Sequence, residues 1–214
     1  MSDAGLRGRF GRLWRRMGAQ DDGGRIADEL LRAYGESHRQ YHGLEHLRDC
    51  LVQLDAAPAS EADRDLAEMA LWFHDAAYVP GGTGNEARSA DWAAGAMRQA
   101  GVPEDRWQEV ARLIRLTDHA APATDPVAAL VCDVDLSILG RGPVEFAEYE
   151  RRIREEYRNV SEPVYRMGRS AVLSSLLARD PLYRSPYFRS RYESTARRNL
   201  IQALDRLTPG SLPE

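Results

Sequence analysis

Apolar residues recur at three- and four-residue intervals along almost the whole chain, and no stretch alternates apolar with polar residues as a half-buried strand does. The period predicts an all-α fold with helices near 5–17, 25–34, 43–56, 61–77, 86–100, 104–117, 126–139, 143–158, 163–178 and 190–207. The breaks between them are explicit: APAS at 57–60, VPGGTGN at 79–85, GVP at 101–103, AAPATDP at 120–126, GRGP at 140–143 and DPLYRSPYF at 180–188. Proline interrupts helical backbone in each, joined by glycine in VPGGTGN, GVP and GRGP. None has the length of a domain linker and no internal repeat is visible, so the 214 residues are expected to form one domain. Within residues 1–20 the pattern is amphipathic, with Leu6, Phe10, Leu13, Trp14 and Met17 on one side and arginines on the other. Such a helix either packs on the body or lies on an anionic membrane, and packing is the expectation.

Composition narrows the picture. A formal net charge of −4 argues against nucleic-acid binding through bulk positive charge. All 29 basic residues are arginine, which excludes Schiff-base chemistry and a P-loop lysine and leaves arginine to recognise any phosphate or carboxylate. Cys50 and Cys132 lie in apolar helical surroundings and are read as small core residues in a reducing compartment. No run reaches the ~18 apolar residues of a membrane span, and the first residues lack a secretory signal's apolar core, so a cytoplasmic location is expected. Oligomeric state is not legible.

Three stretches carry chemistry. In RQYHGLEHLRDCL (39–51), His42 and His46 stand four residues apart on what reads as one helix, a spacing that suits two ligands, or a ligand beside an acid–base group. In LAEMALWFHDAAYVPGG (66–82), His74 and Asp75 end an apolar run. A buried carboxylate there is costly unless satisfied, and a metal ion would satisfy both residues. In PVAALVCDVDLSILG (126–140), Asp133 and Asp135 point to nearly opposite sides of one helix, so one site is not expected to claim both. Asp135 shares its face with Val131, Ile138 and Leu139, read as the more buried side, which makes it the better ligand candidate and leaves Asp133 a supporting or capping group.

The order His46, His74-Asp75, Asp135 resembles that of the HD superfamily of metal-dependent phosphohydrolases, and within it a bacterial family of predicted phosphohydrolases. The blocks YHGLEHL, WFHDAAY, NEARSA, DVDLSILG, YRMGRSAVLSSLLAR and ARRNL follow that family's order over nearly the whole chain. The resemblance implies an HD-domain helical bundle in which His46, His74, Asp75 and Asp135 bind a divalent ion: Mn, Fe, Co, Ni, Zn or Mg. YHGLEH also looks like the YHNxxH element of cyclic-nucleotide phosphodiesterases, with Gly43 in place of asparagine. That likeness implies His46 as ligand and His42 as general acid. The chemistry expected of such a centre is hydrolysis of a nucleotide-like phosphomonoester or phosphodiester by metal-activated water, with the ligand Asp75 serving in part as base toward that water. Two other functions fit an HD-type helical protein: a di-iron oxygenase, for which only His119 is at hand as an extra ligand, and a catalytically silent nucleotide-binding module.

Three further residues are candidates. Glu86, in NEARSA, either closes over the cleft or is a first-turn acid facing the helix dipole, with Asn85 as N-cap. His119 is read as a phosphate contact, a second-metal ligand or an ordinary helix-terminal residue. Arg169, three residues after Arg166, is the preferred phosphate clamp.

Overall fold

The computed structural model describes residues 1–208, and the helical periods appear there as ten α-helices with no strand among the described residues. They are α1 (Asp3–Arg16), α2 (Gly24–Tyr34), α3 (Leu44–Ala56), α4 (Glu61–Phe73), α5 (Asn85–Gln99), α6 (Glu104–Arg115), α7 (Pro126–Asp135), α8 (Pro143–Glu156), α9 (Glu162–Leu177) and α10 (Pro186–Leu207). Short 3₁₀ turns extend α6 over Leu116–Asp118 and α7 over Leu136–Gly140. The described residues divide into two compact units, 1–135 and 136–208.

In the first unit α4 is the inner helix, packed against α1, α3, α5, α6 and α7. Its last seven residues, Ala67 to Phe73, are all buried. The amphipathic α1 lies on this unit, with Leu6, Phe10, Leu13 and Trp14 fully buried. Phe10 meets Trp72 edge to face at 5.2 Å, and Arg9 joins Asp55 of α3 at 2.7 Å and Glu68 of α4 at 2.8 Å. Each large side chain so buried contributes about 1.5–3 kcal/mol, enough to hold a helix whose other face is charged.

Two helix ends depart furthest from the periodic expectation without a 3₁₀ turn to make up the difference. The 61–77 pattern stops at Phe73 because the backbone beyond it finds partners elsewhere. The Asp75 N–H donates to the Tyr34 hydroxyl at 3.4 Å and the Ala77 N–H to Ser89 Oγ at 3.0 Å. The carbonyls of Asp75 and Ala76 accept from Arg39 at 2.5 and 3.0 Å. With these groups satisfied, the helix can end inside the protein without stranded polar atoms. At the other end of the chain, α10 starts at Pro186 rather than near 190, since proline is well suited to the first helical position and Ser185 accepts from the Phe188 N–H.

The second unit is built on α10, which packs against α9 and the 136–140 turn. Asn199 donates to the carbonyls of Leu139 and Arg141 at 2.8 and 3.0 Å. A Cβ at Gly140 would lie 2.3 Å from that of Tyr192, so the turn approaches α10 more closely than any other residue permits.

Among the described residues no helix is long and apolar enough to cross a membrane.

Candidate metal centre

The end of α4 delivers His74 and Asp75, the first turn of α3 delivers His46, and the last residue of α7 delivers Asp135. His46 Nε2 lies 3.1 Å from His74 Nε2, 3.5 Å from Asp75 Oδ2 and 3.2 Å from Asp135 Oδ1. His74 Nε2 lies 3.0 Å from Asp75 Oδ2 and 3.5 Å from Asp135 Oδ1. His46 and His74 are 4 % and 1 % exposed and the Asp75 and Asp135 side chains 12 % and 15 %, so two imidazoles and two carboxylates face one another largely out of water.

Three features fit a divalent cation at this point. His74 Nδ1 donates to the Leu71 carbonyl at 2.8 Å, which fixes the ring and turns Nε2 towards the group, the arrangement usual for a metal-binding histidine. Asp75 Oδ2 is the one buried side-chain polar atom among the described residues that lacks a hydrogen-bond partner. Donor atoms 3.0–3.5 Å apart also match the edges of a coordination shell whose bonds are roughly 2.0–2.2 Å. Without a cation the group must hold protons instead. Burial works against charge on His74, but Asp75 and Asp135 outweigh it and raise its pKa well above the ordinary imidazole value. Burial likewise opposes the charge on Asp75, and His74, His42 and His46 overcome it and hold the carboxyl low.

Asp135 bridges two environments. Its Oδ1 faces His46 and His74, while Oδ2 lies 2.8 Å from His119 Nε2. His119 therefore buttresses a carboxylate, and its left-handed backbone, φ 55°, sets it beyond the 3₁₀ turn where its ring reaches back. Contrary to the expected facing, Asp133 is the more buried of the two: it is 1 % exposed, whereas the Asp135 side chain keeps 15 %. Asp135 nevertheless is the one of the pair that reaches the histidines, because it ends α7 and its side chain projects past the last turn.

His42 is not on the helix of His46. It sits in the turn before α3, which Gly43 caps, and its carbonyl accepts from Arg39 at 3.1 Å. Tyr41 and Tyr78 bracket its ring at centroid distances of 4.9 and 4.5 Å, and the His46 ring lies 5.9 Å away. The turn, not an i,i+4 relation, brings the two imidazoles near each other. The residue that does share the helical face with His46 is Cys50, one turn on. Its Sγ lies 3.6 Å from His46 Nε2, and His46, Cys50, His74 and Asp135 offer donor atoms all within 4.8 Å of one another. Cys50 is thus part of the group and not simply core filling, a correction that the i,i+4 rule would have supplied if applied forwards from His46.

No local pattern in the sequence marks Arg39. Its side chain is fully buried between the rings of Tyr34 and Tyr78, at 5.4 and 5.3 Å, and its guanidinium ties the turn of His42 to the loop after His74. Asn85 is the first residue of α5, not its N-cap; its side chain clasps Val79 through both N–H and C=O, and with Ser89 it shapes the loop behind Asp75. Glu86 is a half-buried first-turn acid of α5. Arg169 is engaged in the second unit, where it pairs with Glu150 and donates to the Tyr149 hydroxyl at 2.8 Å. Arg166 donates to the Arg206 carbonyl at 2.9 Å.

No protein-family model, curated protein or solved structure matches the chain. What the fold and site define is an all-helical protein with a buried His, Cys and Asp group able to hold a metal ion.

Proposed function

We propose that the protein is a metal-dependent phosphohydrolase of HD type that cleaves a phosphate ester, mono- or diester, of a nucleotide-like small molecule. The observation that carries this reading is the orphaned Asp75 Oδ2 set among His46, His74 and Asp135. His46, His74, Asp75 and Asp135 would hold the divalent ion. Such an ion supplies Lewis acidity towards a phosphoryl oxygen and acidifies water. His42, half-buried beside the group and bracketed by two tyrosines, would hold a proton for the departing ester oxygen. Arg39 keeps that turn in place through the His42 carbonyl, and His119 orients Asp135. Neither Arg166 nor Arg169 enters this proposal, since both are committed to contacts within the second unit.

Elemental analysis of the purified protein, followed by a screen of nucleotides and simple phosphate esters for released phosphate, tests the reading. Metal in stoichiometric amount and release that a chelator abolishes are expected. Metal without hydrolysis of any ester would end the hydrolase assignment, and oxygen consumption by an iron-loaded form would replace it with oxygenase chemistry.

A further inference from the structure

We infer that Cys50 is a fifth donor of this centre and biases it towards thiophilic divalent ions, zinc and cobalt, over manganese and magnesium. The inference rests on the metal-site reading above and adds the class of ion. Cys50 is 1 % exposed on α3, one turn beyond His46, with Sγ 3.6 Å from Nε2 and 3.8 Å from Nδ1 of that ring. A buried cysteine in an apolar shell is ordinary packing. This one instead shares a 4.8 Å group with two imidazoles and a carboxylate, and the neighbouring Asp75 Oδ2 is buried with no hydrogen bond of its own. A sulfur among imidazole and carboxylate donors suits zinc or cobalt, whereas hard magnesium and manganese favour oxygen. On coordination the thiol proton leaves to solvent and the thiolate supplies the electron pair, with no change in oxidation state. Cys132 provides an internal control: it lies on α7, is also buried, and its thiol donates to the Leu116 carbonyl at 3.6 Å outside the group.

The test uses full-length protein loaded with cobalt(II). A near-ultraviolet sulfur-to-cobalt charge-transfer band is expected in the unaltered protein and in Cys132→Ser, and its loss in Cys50→Ser with cobalt still bound. In competition dialysis the zinc-to-manganese preference of Cys50→Ser should fall about 10–100-fold. A band and a preference unchanged by Cys50→Ser would overturn the inference while leaving the metal site standing. If Cys50→Ser does not fold, as judged by helical circular dichroism, X-ray absorption of the zinc-loaded unaltered protein decides: a sulfur in the zinc shell supports Cys50, and a shell of nitrogen and oxygen alone removes it. Unaltered protein that binds neither zinc nor cobalt would overturn this inference together with the metal site.

Discussion

Each unit buries a charged cluster, and the two are finished differently. In the second unit the Arg169 guanidinium, its side chain 9 % exposed, is matched by Glu150 and by the Tyr149 hydroxyl and ring, so cation and anion close on each other. In the first unit Asp75 and Asp135 face His46 and His74, groups that can all act as acceptors, and one carboxylate oxygen is left without a hydrogen bond. Burying a matched pair is a structural solution that needs nothing further; burying a set of acceptors costs several kcal/mol unless a cation joins it. The difference separates an ion pair that completes a fold from a group that awaits a ligand. It also explains why Arg169, attractive in the sequence as a phosphate clamp, belongs with the former.

That contrast can be broken most directly at the acceptor group. Replacing His74 or Asp135 by alanine should remove most bound metal, seen by elemental analysis, and take phosphate release to background; full occupancy in both variants would show the group to be a purely structural cluster. His42→Ala should keep the metal yet slow hydrolysis of an alkyl ester by about 10²–10⁴-fold, with a much smaller loss on a nitrophenyl ester whose leaving group hardly needs a proton. Equal losses on both esters would make His42 a positioning residue, and loss of metal would make it a ligand.

The closed pair predicts the opposite signature. Arg169→Ala strands Glu150 and should lower unfolding free energy by about 3–5 kcal/mol in urea, with metal content unchanged. Replacing both partners together, Arg169→Met with Glu150→Leu, should recover most of that loss. A smaller effect is expected at the outer layer of the metal group: His119→Ala frees the outer oxygen of Asp135 and should weaken metal binding about 10–100-fold in a titration. Smallest of all, Asp133→Asn should leave metal content as it was, since Asp135 is the aspartate that reaches the histidines.

Helix content and most helix spans were legible in the chain because helical hydrogen bonds run between neighbours four apart, and the apolar stripe each helix buries is written at the same short period. The motif order His46, His74-Asp75, Asp135 was legible too, as was the amphipathic character of α1. What partners distant in sequence decide is not written in any local pattern. The end of α4 depends on Tyr34, Arg39 and Ser89, between 12 and 41 residues from the groups they satisfy, so no local pattern announces it. His42 left the helix of His46 because the chain turns at Gly43, and Cys50 joined the group because α3 lies with that face towards the ends of α4 and α7. By itself, the sequence determined which residues could serve as donors and that the chain would be helical. Only the packing of α3, α4 and α7 decided which of those donors meet, because side chains far apart along the chain acquire a common site only when the helices carrying them are held together by the core.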